Sequence, residues 1–430
     1  MMAPHLRQIA SLLLAVALLL AGNGLQFTLL PLRGAAEGMG TLALGLIGSA
    51  YYAGFVLGCV LGPFVILRAG HIRAFAAMVA VAAAVTLAYA LAPTPAAWAA
   101  FRLVTGFCLA GFYLTIESWL NDGATNDNRG FVMSAYIIVN FGAITLGQMM
   151  VTLYPVEEAG SFMLAAILSS LAIVPVALTR SAQPAPITVV RFRPFALFEA
   201  APVALVASFA IGIANGAFWG LGALSAAGSG LNVRDVAIFM SIAVAAGAVA
   251  QWPFGRLSDR IDRRLVLGSI LIGAAVSGLA IFFFGHSVAA LIVFGFLFGA
   301  LALPAYSLAA AHGYDKTPRA DLVATSATIL LANGLGAAIG PLAAGALMSA
   351  QGPRALFLFT AIVQTLLAAY VFYRTRVQVS LLPPEKTDFD LATTAPVGAV
   401  VTAESPDPDS SDFAVPEDFA RPAERPPAEP

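Results

Sequence analysis

Apolar runs long enough to cross a lipid bilayer recur twelve times along this chain, with most of its charges lying between them. A bilayer's hydrocarbon core is spanned by about 20 consecutive, mostly apolar helical residues. Runs of that kind occupy positions 8–32, 43–67, 74–92, 97–120, 130–153, 161–179, 199–225, 235–255, 265–285, 288–311, 321–348 and 354–373. Lipid offers the backbone no hydrogen-bond partner, so each run must bond within itself as a helix, or within a closed barrel. The ten-residue alternation of a barrel strand does not occur. Of the 430 residues, 60% are hydrophobic and 10% charged, against roughly 25% charged in a soluble domain. The expected fold is an all-α integral membrane protein of twelve transmembrane helices.

Lys and Arg mark the cytoplasmic side of membrane proteins. With the N-terminus placed inside, sixteen basic residues fall on the cytoplasmic side and three, Arg33, Arg234 and Arg354, on the outer side. A miscounted span would invert that bias downstream, so count and orientation support each other, with both termini cytoplasmic. The first run follows Arg7 and continues past Asn23 and Gln26 without a small-x-small cleavage site, so it reads as an uncleaved span. Residues 1–384 carry 19 basic and 12 acidic side chains, a net of +7; residues 385–430 carry 3 and 11, a net of −8. The Pro-rich acidic end, 381–430, has too little apolar area to offset ordering entropy and reads as a disordered tail.

Cys59 and Cys108 both sit in apolar runs, which excludes a disulfide framework or a CxxC metal site. No Walker-type loop, HExxH or GxSxG motif occurs, so neither an enzyme nor a cofactor is expected. The short basic loops serve topology, not nucleic acid. The partners implied are the bilayer and a small solute, for a protein expected to act as a monomer.

The longest connection between spans, Arg180 to Phe198, contains Pro184, Pro186, Arg191, Arg193 and Pro194 and reads as a cytoplasmic linker. It divides the chain into a bundle at 1–180, a linker at 181–198 and a second bundle at 199–380. Echoes cross it at an offset of about 190–192 residues: Gly62-Pro63-Phe64 with Trp252-Pro253-Phe254, and Arg129 to Ser134 with Asp321 to Ser326. Such parallel repeats place a substrate cavity at their interface, near the bilayer midplane. Asn23, Gln26, Tyr113, Asn140, Asn215, Trp219, Tyr306 and Asn333 lie at mid-depth. Each either ties helices together or touches substrate, because a buried amide needs a partner; two or three are expected to touch it. Amides and aromatics without a deep charge suit a neutral or planar organic solute.

Ionisable residues inside spans are costly and default to function. Arg102 either supports binding or coupling, or snorkels outward. Glu117, near the inner end of the fourth span, is within reach of Arg129 as a gate-stabilising pair. His312 occupies the repeat position near Glu117 and reads as polar packing.

The eighth span runs into Gly255-Arg-Leu-Ser-Asp259-Arg260-Ile-Asp262-Arg263-Arg264. With six plus six spans around a basic central loop, this resembles the major facilitator superfamily, whose loop signature is G-x-x-x-D-R-x-G-R-R; only Asp262 departs, at the second glycine. Arg102-Leu-Val-Thr-Gly106 is similar to the family's R-x-x-x-G motif. Glu117-Ser-Trp-Leu-Asn121, Asn128-Arg129-Gly130, Gly22-Asn23-Gly24-Leu25 and Gln251-Trp252-Pro253 resemble the YcaD-like branch of bacterial carriers. The resemblance covers about residues 6–375. It implies two six-helix bundles related by a parallel pseudo-repeat, alternating access, a bacterial cytoplasmic (inner) membrane, and a latch at Asp259 and Arg260. The equivalent loop in the first half is degraded, with Leu67 at the acidic position and Pro63 at the first glycine. The cargo implied is a small organic solute, flavin-like or drug-like, with or without protons. The rival readings are a proton-coupled multidrug efflux carrier and a non-transporting sensor or scaffold signalling through the acidic tail.

Overall fold

A computed structural model describes residues 4–123, 129–178, 192–318 and 321–377, with Lys386 and Phe389 beyond them; the side chains of 4–8, 121–123 and 129 lie outside the described residues. Among the described residues, twelve helices are long and apolar enough to cross a membrane. They are α1 (Ile9–Ala36), α2 (Thr41–Ala69), α3 (His71–Leu91), α4 (Pro95–Leu120), α5 (Gly130–Leu153), α6 (Gly160–Ala177), α7 (Pro202–Gly228), α8 (Val233–Arg260), α9 (Arg263–Phe284), α10 (Val288–Asp315), α11 (Leu322–Gln351) and α12 (Ala355–Val377). Several outlast the apolar run that announces them. α8 continues to Arg260 and α10 to Asp315, because a helix does not stop where its side chains turn polar. α10 is interrupted between Ala302 and Ala305, at Pro304, whose ring nitrogen has no hydrogen to donate.

The two sets of six helices repeat one packing scheme. α1 lies on α5 and α2 on α4 in the first; α7 lies on α11 and α8 on α10 in the second. Glycines set the spacing. A Cβ on Gly54 would overlap the Leu103 carbonyl, and one on Gly106 would overlap the Tyr51 carbonyl. In the second bundle a Cβ on Gly247 would press on Leu303 and Gly299, and one on Gly299 would overlap the Ala243 carbonyl. Gly247 and Gly299 stand 193 residues after Gly54 and Gly106. Without a hydrophobic drive between helices in lipid, such backbone-to-backbone contact is what holds spans together.

The connections at 37–40, 154–159, 229–232 and 352–354 share one face, which carries few basic residues; the opposite, basic face carries the linker and the α8–α9 loop. Toward the lightly charged face a single core runs through both bundles, joining Leu25, Leu29, Trp98 and Phe162 to Phe218, Phe239, Phe298 and Phe357. Toward the basic face it divides. One core there belongs to the first bundle, around Phe75, Phe112, Ile116 and Tyr136; the other belongs to the second, around Leu267, Leu271, Leu308 and Leu367.

The individual contacts between bundles follow the same gradient. Gly45 and Gly48 of α2 rest on Pro341 of α11, and Gly345 rests on Thr41. The Leu342 N–H donates to Ser49 Oγ at 3.1 Å, and Ser241 Oγ on α8 donates to the Thr145 carbonyl on α5 at 3.3 Å.

Candidate functional site

Arg102 enters the bundle interface on α4 and does not snorkel: it is 3% exposed. Its guanidinium lies 4.7 Å from the Tyr51 ring centroid and 5.2 Å from that of Phe27. Aromatic faces attract a cation by about 2 kcal/mol or more when water is excluded, but they accept no N–H hydrogen bond of ordinary strength. Arg102 Nε and Nη1 are buried without a hydrogen-bond partner. Phe27 in turn meets Tyr51 edge-on at 5.2 Å and Trp219, from the other bundle, at 5.4 Å. Tyr51 meets Tyr52 at 5.1 Å and lies beside Asn23. One connected group thus runs from a buried cation, through two aromatic rings, to the junction of the bundles.

A second group lies nearer the basic face. Glu117 is fully buried and accepts a hydrogen bond from the Tyr136 hydroxyl at 3.1 Å. The Arg129 side chain lies outside the described residues, so its expected pairing with Glu117 goes with it. Asn140 is fully buried beside the Tyr113 hydroxyl, and neither of its amide atoms completes a hydrogen bond. Phe55 packs on Tyr113 at 6.3 Å.

The remaining expected residues divide. Gln26 is a helix tie, donating to Thr86 on α3 at 3.2 Å; Asn333 is another, donating to the Ser208 carbonyl on α7 at 3.0 Å. Asn23, Gln26 and Thr105 line a narrow cleft between α1, α3 and α4 of about 20 Å³, room for one water and no solute. Tyr306 is buried on α10 with its hydroxyl unpartnered, and Asn215 is half-buried on α7. His312 is buried near the end of α10, within the field of Arg264 and Asp315.

At the α8–α9 loop the bonding falls to other arginines than Arg260, which is exposed and enters none of these contacts. Arg263, 1% exposed, pairs with Asp259 at 3.0 Å and with Asp315 at the end of α10 at 2.7 Å, and donates to Ser258 Oγ at 2.7 Å. Arg264 pairs with Asp262 at 2.7 Å, so the residue at the motif's second glycine has a partner of its own. Replacing a buried member of such a network strands the other charges, at about 3–5 kcal/mol. Arg263→Gln is accordingly expected to lower stability by about 3 kcal/mol, read as a fall in melting temperature of the purified protein.

The first bundle has a counterpart that the sequence reading missed. His71 opens α3, is buried, and meets Ser118 Oγ on α4 at 3.3 Å. Arg263 stands 192 residues after His71. Both residues tie the start of one span to the end of the next, so the degraded loop keeps its joint through a His–Ser contact. The signal was a lone histidine directly after Gly70, the hinge residue with φ of 82°.

Two residues of the acidic end, Lys386 and Phe389, are described beside the α8–α9 loop. Phe389 lies against Gly255 and donates its N–H to Asp259 at 3.0 Å; Lys386 donates to the Ile261 carbonyl at 2.6 Å. Partial burial, with Arg263 nearby, holds the Lys386 ammonium below its usual range. Both residues are ordered against the loop, within a segment that reads as disordered from composition. The rest of 390–430 lies outside the described residues.

Two repeated six-helix bundles, with one shared core toward one face and separate cores toward the other, and a polar and aromatic interface between them, are the architecture of a membrane solute transporter. Comparisons with known proteins agree. A family model described as Major Facilitator Superfamily matches residues 200–408. The uncharacterized MFS-type transporter YcaD of Escherichia fergusonii is 28% identical over 364 residues, 84% of this chain and 94% of the relative. The nucleoside transporter NupG superposes with a TM-score of 0.73 at 14% identity, over 86% of this chain and 100% of that one. A bacterial homologue of the lysosomal transporter Spinster, inward-facing and occupied, superposes at 0.72 with 15% identity, over 88% and 97%. The family model over the second half and the relatives along the chain support a transporter of the major facilitator superfamily, similar to YcaD.

Proposed function

We propose that this protein carries a small organic solute across a bacterial cytoplasmic membrane by rocking its bundles about the Phe27–Trp219 junction. The observation that carries this reading is the division of the core. One packed core joins the bundles at the lightly charged face and two separate cores lie toward the basic face, as expected of one end state of alternating access. The basic face belongs in the cytoplasm by charge placement, so the side with divided cores is the one that opens inward, and both termini are cytoplasmic. Phe27, Tyr51, Tyr52 and Trp219 offer ring faces suited to a planar solute.

The test is counterflow into proteoliposomes across a panel of vitamins, nucleobases, aromatic acids and drug-like dyes, paired with thermal shift of the same solutes. At least one solute is expected both to exchange and to raise the melting temperature with concentration, as a ligand of the folded state must. A panel that yields neither ends the carrier reading.

A further inference from the structure

We propose that Arg102 is the anchor for the anionic group of the transported solute, and that the solute is a planar organic monoanion such as an aromatic carboxylate. The inference deepens the carrier reading and rests on it.

A guanidinium buried away from water keeps its charge, so it needs an anion or hydrogen-bond acceptors. Arg102 has neither at Nε or Nη1, although it is 3% exposed. Two donors of one guanidinium thus await acceptors. The neighbouring cleft admits one water, too little for both. A carboxylate meets the need directly, because its two oxygens match the paired N–H groups of a guanidinium.

The surroundings fix the rest of the solute. Phe27 and Tyr51 flank the cation, and Phe27 continues to Trp219 of the other bundle. A flat body attached to the carboxylate would lie along these rings, between the halves. Among the described Lys and Arg residues, Arg102 lies deepest, seven residues after the start of α4; the others stand nearer their span ends. One cation balances one negative charge, which favours a monoanion over a dianion. Amides and aromatics alone suit a neutral or planar solute; the buried charge of Arg102 adds an anionic group to the planar one.

Benzoate and its neutral isostere benzamide are suitable probes of the full-length protein in detergent, with sodium chloride as the simple anion. The wild type should melt roughly 2 °C higher for each tenfold rise in benzoate above its Kd and should not respond to benzamide. Arg102→Met, freed of an unpaired charge, should melt above the wild type without ligand and ignore benzoate. Arg102→Lys, which keeps the charge but not the fork, should retain a weakened response. Equal responses to benzoate and benzamide overturn the proposal, as does a chloride response as large as that to benzoate. Arg102→Met melting below the wild type without ligand also overturns it, by making Arg102 a structural cation. Failure of Arg102→Met to fold overturns it on the same ground. Benzoate binding through Arg102 without counterflow would sink the carrier reading and leave the anion site standing.

Discussion

Gly106→Val should leave little folded protein. Gly106 faces α2 where the two backbones touch, and a Cβ there would overlap the Tyr51 carbonyl and crowd the Phe55 amide. Both are backbone atoms, so no rotamer change relieves the overlap. Either α2 must move away from α4 or the helix must distort. Overpacking of this kind costs about 1–3 kcal/mol when side chains can yield; with backbone on both sides we expect at least about 3 kcal/mol. Displacement of α2 also moves Tyr51 off Arg102, removing part of what shields that cation. The expected result is a large loss of monodisperse protein on gel filtration and a lower melting temperature in what survives. Gly142 provides the control: nothing lies within 4 Å of a Cβ built there, so Gly142→Ala should be neutral or slightly stabilising, since alanine is the better helix former. If Gly106→Val folds as well as Gly142→Ala, glycine contact is not what sets the α2–α4 spacing.

Gly106 also shows how far the sequence could be read. Its place in an R-x-x-x-G motif was visible, and so was the general value of small residues four apart. What it touches was not, because backbone approach leaves no residue type of its own to recognise on the partner. Spans, by contrast, were legible to within about five residues at each end, because lipid imposes similar length and polarity on each. α5 begins and ends where its apolar run does. The bundles' kinship was faint in residue identities, yet Gly54 and Gly247, and Gly106 and Gly299, occupy matching contacts.

The site was legible in its polar members only. Gln26 and Asn333 could be picked out as amides, but whether each ties helices or faces solute depends on Thr86 and Ser208, far away in sequence. Arg102 left two readings open, because a long side chain near a span end can reach water. Phe27 and Tyr51 close that route, and aromatic residues are too common in spans to mark such a lid. Lys386 and Phe389 were hidden for a related reason. Composition describes a segment's average, whereas the contacts of Lys386 with Ile261 and of Phe389 with Gly255 and Asp259 belong to single residues.

Gly48→Trp should abolish transport while leaving the protein folded. Gly48 sits between bundles, not within one. A Cβ there lies 3.1 Å from the Pro341 Cβ and 3.4 Å from the Gly220 Cα, so alanine fits with a small adjustment and an indole does not. The wedge acts only where the lightly charged faces meet, and neither bundle's internal packing is disturbed. It therefore raises the energy of the state in which those faces close. A penalty of about 3 kcal/mol would depopulate that state roughly 100-fold. A carrier must visit both end states in each cycle, so counterflow should fall on the same order. Gly48→Ala should retain most of it. The melting temperature separates this outcome from unfolding: it should stay close to that of the wild type, in contrast to Gly106→Val. Full transport by Gly48→Trp would mean that α2 and α11 need not close on each other at all, and the rocking mechanism would fail with it.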